Sequence, residues 1–170
     1  MRIVLALLLL SSLSLQADEI HLSDDLQVYP LTEHTWVHRS WEVIQGHRYP
    51  SNGLIIIEND TLTLIDTAWG DAPTAVLLDW MEQRFGKAPD LAILTHSHDD
   101  RMGGASTLAA RGIPAWAHPA TLTIARNDPD TFYDADIPLP RTIEAFTEQS
   151  RITFANLELY YPDPAHSPDN

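Results

Sequence analysis

The feature that most restricts the fold is an apolar run, Leu91-Ala92-Ile93-Leu94, that empties without a break into Thr95-His96-Ser97-His98-Asp99-Asp100-Arg101-Met102-Gly103-Gly104. A short apolar run bounded by turn residues reads as a strand buried on both faces, the kind found inside a sheet covered by helices. Polar groups at the end of such a strand mark the edge where α/β folds collect ligands. In extended backbone, residues two apart point the same way, so His96 and His98 can aim both imidazoles at one point. Asp100 brings a carboxylate to the same neighbourhood. Neutral imidazole is a preferred ligand of Zn²⁺, and Gly103-Gly104 would let the backbone turn sharply beside an ion. Taken singly, these residues have plainer uses: a solvated His-x-His, Asp99 and Asp100 as helix caps, Arg101 as a surface cation. Their combination directly behind a buried strand favours a metal site.

The flanking segments supply the rest of the architecture. Residues 26–31 and 35–44 are strand-like, and Gln45-Gly46-His47-Arg48-Tyr49-Pro50 reads as a hairpin tip or exposed loop. Residues 53–58 and 61–66 flank Asn59-Asp60, a two-residue turn signal, and predict a β-hairpin. After Pro73, Val76, Leu77, Trp80, Met81 and Phe85 gather on one face of a 3.6-residue period, predicting a helix closed by Gly86. A second helix is expected over 104–111, stopped by Gly112, then a strand over 114–117 and a helix over about 119–127. Residues 127–140, rich in Asp and Pro, read as a surface loop, and 141–147 and 151–161 as short strands around turns at 148–150 and 155–156. Strand and helix in alternation imply an α/β layer.

Composition narrows the chemistry. At 170 residues the chain holds one domain, and 44% hydrophobic residues suffice for a core. With 24 Asp+Glu against 10 Lys+Arg, the formal charge of −14 repels a phosphate backbone, which argues against nucleic acid. Cysteine is absent, so any metal must be held by His, Asp or Glu. Residues 1–17 have the layout of a secretory signal peptide: a basic start, an apolar run over 3–10, and small polar residues up to Ala17. The run is well short of the roughly 20 residues that span a bilayer. The mature domain is therefore expected over 18–170, outside the cytoplasm, with a retained anchor as the other reading. His21, His34, His38, His47 and His118 lie outside any ligand spacing and read as surface or locally hydrogen-bonded imidazoles.

Leu64-Ile65-Asp66-Thr67-Ala68-Trp69, the His96 to Arg101 run, and Tyr160-Tyr161-Pro162 leading to His166-Ser167-Pro168-Asp169-Asn170 together resemble the metallo-β-lactamases. The closer resemblance is to the subclass with three His on one zinc and Asp, Cys and His on the other, because Arg101 stands where the wider superfamily typically carries a further ligand His. The resemblance implies an αββα sandwich, of which this chain would hold the N-terminal half and part of the second. It implies that His96, His98 and His166 bind the first of two zinc ions and that Asp100 binds the second and orients the attacking hydroxide. Asp66 and Arg101 would support the site, Trp69 would form part of its wall or floor, and Val43, Ile44 and Tyr49 would touch substrate from a mobile hairpin. The activity implied is hydrolysis of a β-lactam ring by metal-bound hydroxide, conferring antibiotic resistance, in a periplasmic enzyme that is monomeric when complete. No membrane contact is expected once the signal is removed.

The chain departs from that pattern after His166. The family's Cys and last His, and a later Lys and Asn that hold substrate, lie downstream of the third His, so a fragment of a longer protein is expected. Asp163 and Ala165 stand where the family often has Gly, and Ser167 where it often has Thr. In a half sandwich, apolar residues such as Ile55, Ile57 and Leu64 are expected to meet water at roughly 25 cal/mol per Å², leaving the isolated chain poorly soluble or partly folded. Two other functions stay open: a lactone or thioester hydrolase of the same fold, and a non-catalytic zinc-binding fragment.

Overall fold

In the computed structural model, which describes residues 19–127, 139–146, 151–154, 157–162 and 164–170, antiparallel strands come first and parallel ones follow. The elements are β1 (Ile20–Ser23), β2 (Leu26–Pro30), β3 (Thr35–Ile44), β4 (His47–Glu58), β5 (Thr61–Ile65), α1 (Asp71–Phe85), β6 (Leu91–Leu94), α2 (Asp99–Met102), α3 (Ala105–Ala110), β7 (Ala115–Ala117), α4 (Pro119–Asn127), β8 (Ile143–Ala145), β9 (Arg151–Phe154) and β10 (Leu157–Tyr160). Strands β1 to β8 form one sheet in chain order, and β9 pairs with β10 in a separate hairpin. The pairing is antiparallel from β1 to β5 and parallel from β5 to β8. The change falls where tight turns give way to helical crossovers, as parallel neighbours require.

Two tight turns set the antiparallel register. Asn59 and Asp60 have φ of 45° and 65°, and Gln45 and Gly46 have 51° and 80°, the paired left-handed conformations that suit the twist of a hairpin. The polar stretch read as a tip or loop over 45–50 is a turn only at Gln45-Gly46. His47 to Pro50 continue β4, opposite Ile44 to Trp41. Pro50 is tolerated because β5 pairs with β4 only over Leu54 to Glu58, so no ladder bond is asked of its missing N–H. Strand β1 and helix α2 carry too few residues to show a period and escape sequence reading.

One face of the sheet is covered by helices. Helix α1 buries Thr74, Leu77, Leu78 and Met81, whereas Val76, expected on the buried face, is 39% exposed. The apolar stripe is turned by about one residue from the expected one, and Trp80 and Phe85 flank it, each packed on Trp36 with ring centroids 5.2 and 6.2 Å away. Gly86, at φ 77°, ends the helix by donating its N–H to Glu82 O, as anticipated. Ile55 and Leu64 were expected to meet water. They are instead fully buried in the same cluster as Leu77 and Met81, with Ile57 partly buried against it, because they face the helical layer. On the opposite face, Ile93 of β6 borders a cavity of about 220 Å³ whose far wall is Ile152 and Leu159 of the β9–β10 hairpin. The loop expected over 127–140, the turns at 148–150 and 155–156, the signal segment and Asp163 lie outside the described residues, apart from Asn127 and 139–140.

Candidate metal centre

The centre is built where β5 and β6 end side by side. Asp66 leaves β5 with φ 62°, a left-handed conformation that Asp accepts more readily than most residues. Its N–H donates to Ile93 O at 2.8 Å. Its carboxylate accepts the Thr95 N–H at 2.8 Å and the Thr95 hydroxyl at 2.9 Å, splicing the two strand ends together. Thr67 fastens the next turn: its N–H and hydroxyl both reach Arg101 O, at 2.8 and 2.9 Å, and its Oγ1 accepts the Gly104 N–H at 3.0 Å.

Gly103 and Gly104 form the turn expected of them, between α2 and α3, with ordinary φ of −60° and −94°, so the turn itself does not demand glycine. They are glycines for want of space. A Cβ on Gly103 would lie 2.3 Å from Asp99 O, and one on Gly104 would lie 2.1 Å from Thr74 Oγ1. This close approach lets the α2–α3 junction pack against Thr74 of α1.

His96, His98 and His166 converge. Their ring centroids are 4.7, 5.2 and 5.1 Å apart pairwise, and one nitrogen of each lies within 4.8 Å of the other two. His96 is buried, His98 half-buried and His166 exposed. The segment carrying His166 is held by residues that sequence reading did not single out for this. Asp169 accepts the Ser97 N–H at 2.7 Å and the Ser167 hydroxyl at 2.5 Å. Asn170 Oδ1 accepts the Ser167 N–H at 2.9 Å, and the Tyr161 hydroxyl donates to Pro168 O at 3.1 Å. Ser-Pro-Asp-Asn reads locally as turn chemistry. The long-range bond from Ser97 to Asp169 leaves no periodic signal.

Burial holds the His96 imidazole down to about 4, reinforced by the His98 and Arg101 charges, so at neutral pH the ring is neutral and can act as a ligand. Its Nε2 is buried and has no hydrogen-bond partner. An orphaned ring nitrogen costs free energy in an apolar setting, and a bound cation would give it a partner. Burial pushes Asp66 up to about 6, against the pull of Arg101 and of the Thr95 hydrogen bonds. Burial would also raise Asp169, but hydrogen bonds from Ser167 and Ser97 outweigh it and keep the carboxyl below its usual value.

Asp100 stands on α2 outside this group of three. Its Oδ2 pairs with Arg101 Nε at 3.1 Å, and its backbone carbonyl accepts the Ser51 hydroxyl at 3.2 Å. Arg101 also places Nη1 at 3.5 Å from Asp66 Oδ2 and donates to Asn52 O at 2.5 Å. Trp69 is half-buried, with its N–H on Ser40 Oγ at 3.0 Å. Its indole opposes the rise that burial imposes on Asp99. Val43, Ile44 and Tyr49 are exposed near the end of the β3–β4 hairpin, at 58%, 38% and 48%. The base of that hairpin, Ser40 and Ser51, rests on the metal loop. His38 is buried behind it, with Nε2 at 3.2 Å from Ile65 O. The donor set, three imidazole nitrogens from His96, His98 and His166, is one that would suit Zn²⁺.

Residues 22–169 match the family described as the metallo-beta-lactamase superfamily, and the chain belongs to it. It is 31% identical over 147 residues to a type 2 metallo-beta-lactamase of Bacillus cereus, covering 85% of this chain and 54% of that protein. Against a type 2 enzyme of Bacteroides fragilis it is 28% identical, covering 89% and 58%. Its fold matches the crystal structure of a metallo-beta-lactamase from Erythrobacter litoralis with a TM-score of 0.76 at 32% identity, over 90% of this chain and 67% of the other. A mono-zinc metallo-beta-lactamase from Pseudomonas aeruginosa gives 0.73 at 28%, over 88% and 65%. The chain thus has the metallo-β-lactamase fold and spans about half the length of the curated relatives it matches.

Proposed function

We propose that the chain carries the first zinc site of a hydrolase that opens β-lactam rings, of the subclass with three His on one zinc and Asp, Cys and His on the other. The observation that carries this reading is the convergence of His96, His98 and His166, with the Nε2 of His96 left without a hydrogen-bond partner. A zinc ion bound there supplies a Lewis acid and an activated water. The chain's own residues do the rest. The three imidazoles bind the ion in neutral form, Asp66 and Thr95 fix the strand ends beneath them, and Asp169 holds the His166 segment against Ser97. Asp100, neighboured by Arg101, would offer a carboxylate to a second ion, and Val43, Ile44 and Tyr49 would meet the apolar part of the substrate. Residues 1–17 we take as an export signal directing the protein to the periplasm, on the strength of their charge and apolar layout alone.

The protein should bind zinc, hydrolyse a chromogenic cephalosporin, and lose that activity to a chelator and regain it with zinc. Turnover that survives chelation would contradict the reading. Zinc binding without turnover would favour a non-catalytic zinc-binding chain.

A further inference from the structure

His96 can ligate through Nε2 only when its proton sits on Nδ1, and the neighbours of Nδ1 pull in opposite directions. Thr95 Oγ1 lies 3.1 Å from Nδ1 and also donates to Asp66 Oδ2 at 2.9 Å. An ionised carboxylate only accepts, so the Thr95 proton is committed to Asp66 and only a lone pair faces His96. That arrangement requires Nδ1–H. On the other flank, Asn170 Nδ2 is 3.1 Å from the same nitrogen. The amide is oriented by the Ser167 N–H, which donates to its Oδ1 at 2.9 Å, so an amide N–H faces Nδ1 and favours a lone pair there. That choice would place the proton on Nε2 and close the metal position.

Building on the zinc reading above, we propose that Thr95 is a positioning residue whose hydroxyl relays the negative charge of Asp66 to His96. It outweighs Asn170 and holds the tautomer with Nε2 free. The hydroxyl-to-carboxylate bond is charge-assisted and about twice as strong as a neutral one, which settles the competition. The buried Nε2 without a partner is the end of the ring that this tautomer leaves ready.

The test uses the metal-free, ¹⁵N-labelled chain at pH 8, where Asp66, with its value of about 6, is ionised. Two-bond ¹H–¹⁵N correlations should show His96 as the Nδ1–H tautomer. Thr95→Val removes the relay, and Asp66→Asn reverses it, because the new amide donates to Thr95 and frees its proton for His96. Both should convert His96 to Nε2–H and weaken zinc binding about 10- to 100-fold in a competition assay, while Thr95→Ser keeps the wild-type signature. Should Thr95→Val fail to fold, Asp66→Asn carries the test, since Asn also accepts the left-handed backbone. An Nε2–H ring in the wild type, or an unchanged tautomer in a folded Thr95→Val or Asp66→Asn, would overturn the relay. An Nδ1–H ring in a chain that binds no zinc would support the relay and overturn the metal-centre reading.

Discussion

At the residue scale, the centre is a set of side chains whose surroundings leave a ligand as the natural partner. His96 shows this most plainly: burial keeps it neutral, Thr95 and Asn170 engage one nitrogen, and the other has nothing to bond. The support is equally specific, since Asp169 joins Ser97 to the His166 segment. Asp169→Ala should cost about 1 to 3 kcal/mol in a chemical denaturation curve by orphaning the Ser97 N–H. It should also weaken zinc binding by releasing His166. An unchanged denaturation midpoint would mean that the segment is held by other contacts. Sequence reading found His96, His98 and His166 because alternation along an extended segment and the order of motifs are visible in one dimension. It missed Asp169 and Asn170 as supports of the centre, because a bond across more than 70 residues is a product of folding.

At the scale of elements, close packing places the loop. Gly104→Ala would drive a Cβ to 2.1 Å from Thr74 Oγ1, and overpacking of this kind costs about 1 to 3 kcal/mol. A lowered melting temperature, with zinc affinity reduced because α2 and α3 shift under the ligands, is the expected result. Sequence reading assigned these glycines to a backbone turn, which they form. Their φ values are ordinary, and only the packed structure shows that the space belongs to Thr74. The β3–β4 hairpin was recognised by its hydrophobic content and its tip, yet its length was underestimated because His47-Arg48-Tyr49-Pro50 is too polar and proline-marked to look like strand. If Val43, Ile44 and Tyr49 meet substrate, replacing all three with Ser should raise KM for a cephalosporin several-fold and leave zinc affinity unchanged. A parallel loss of zinc binding would place the hairpin's role in the fold instead.

At the scale of the whole molecule, the fold encloses a histidine that resists protonation. His38 is buried and held near 4, chiefly by burial, against an ordinary value of 6.5. In that window the unfolded chain binds the proton and the folded one does not, so stability falls as pH drops from about 6.5 to 4. For His38 the loss is about 3 kcal/mol. Asp66 acts in the opposite sense. Its raised value means that the folded state binds more protons between 3.8 and about 6, so its contribution is greatest in acid and declines as pH rises through that range. A His38→Gln variant should show a flatter acid limb in denaturation curves recorded from pH 7 to 4. An identical slope would remove His38 from the explanation. The order of strands and helices was readable from apolar periodicity, whereas the burial of His38 was not, since its strand neighbours do not reveal which face the helices cover.

The central claim, that three imidazoles share one cation, is tested most directly by X-ray absorption at the zinc edge on protein loaded with one equivalent of zinc, with His166→Ala measured alongside. The account predicts three imidazole nitrogens at about 2.0 to 2.1 Å in the wild type and two in the variant. A zinc shell with fewer than three imidazoles in the wild type, or one that His166→Ala leaves unaltered, would contradict it.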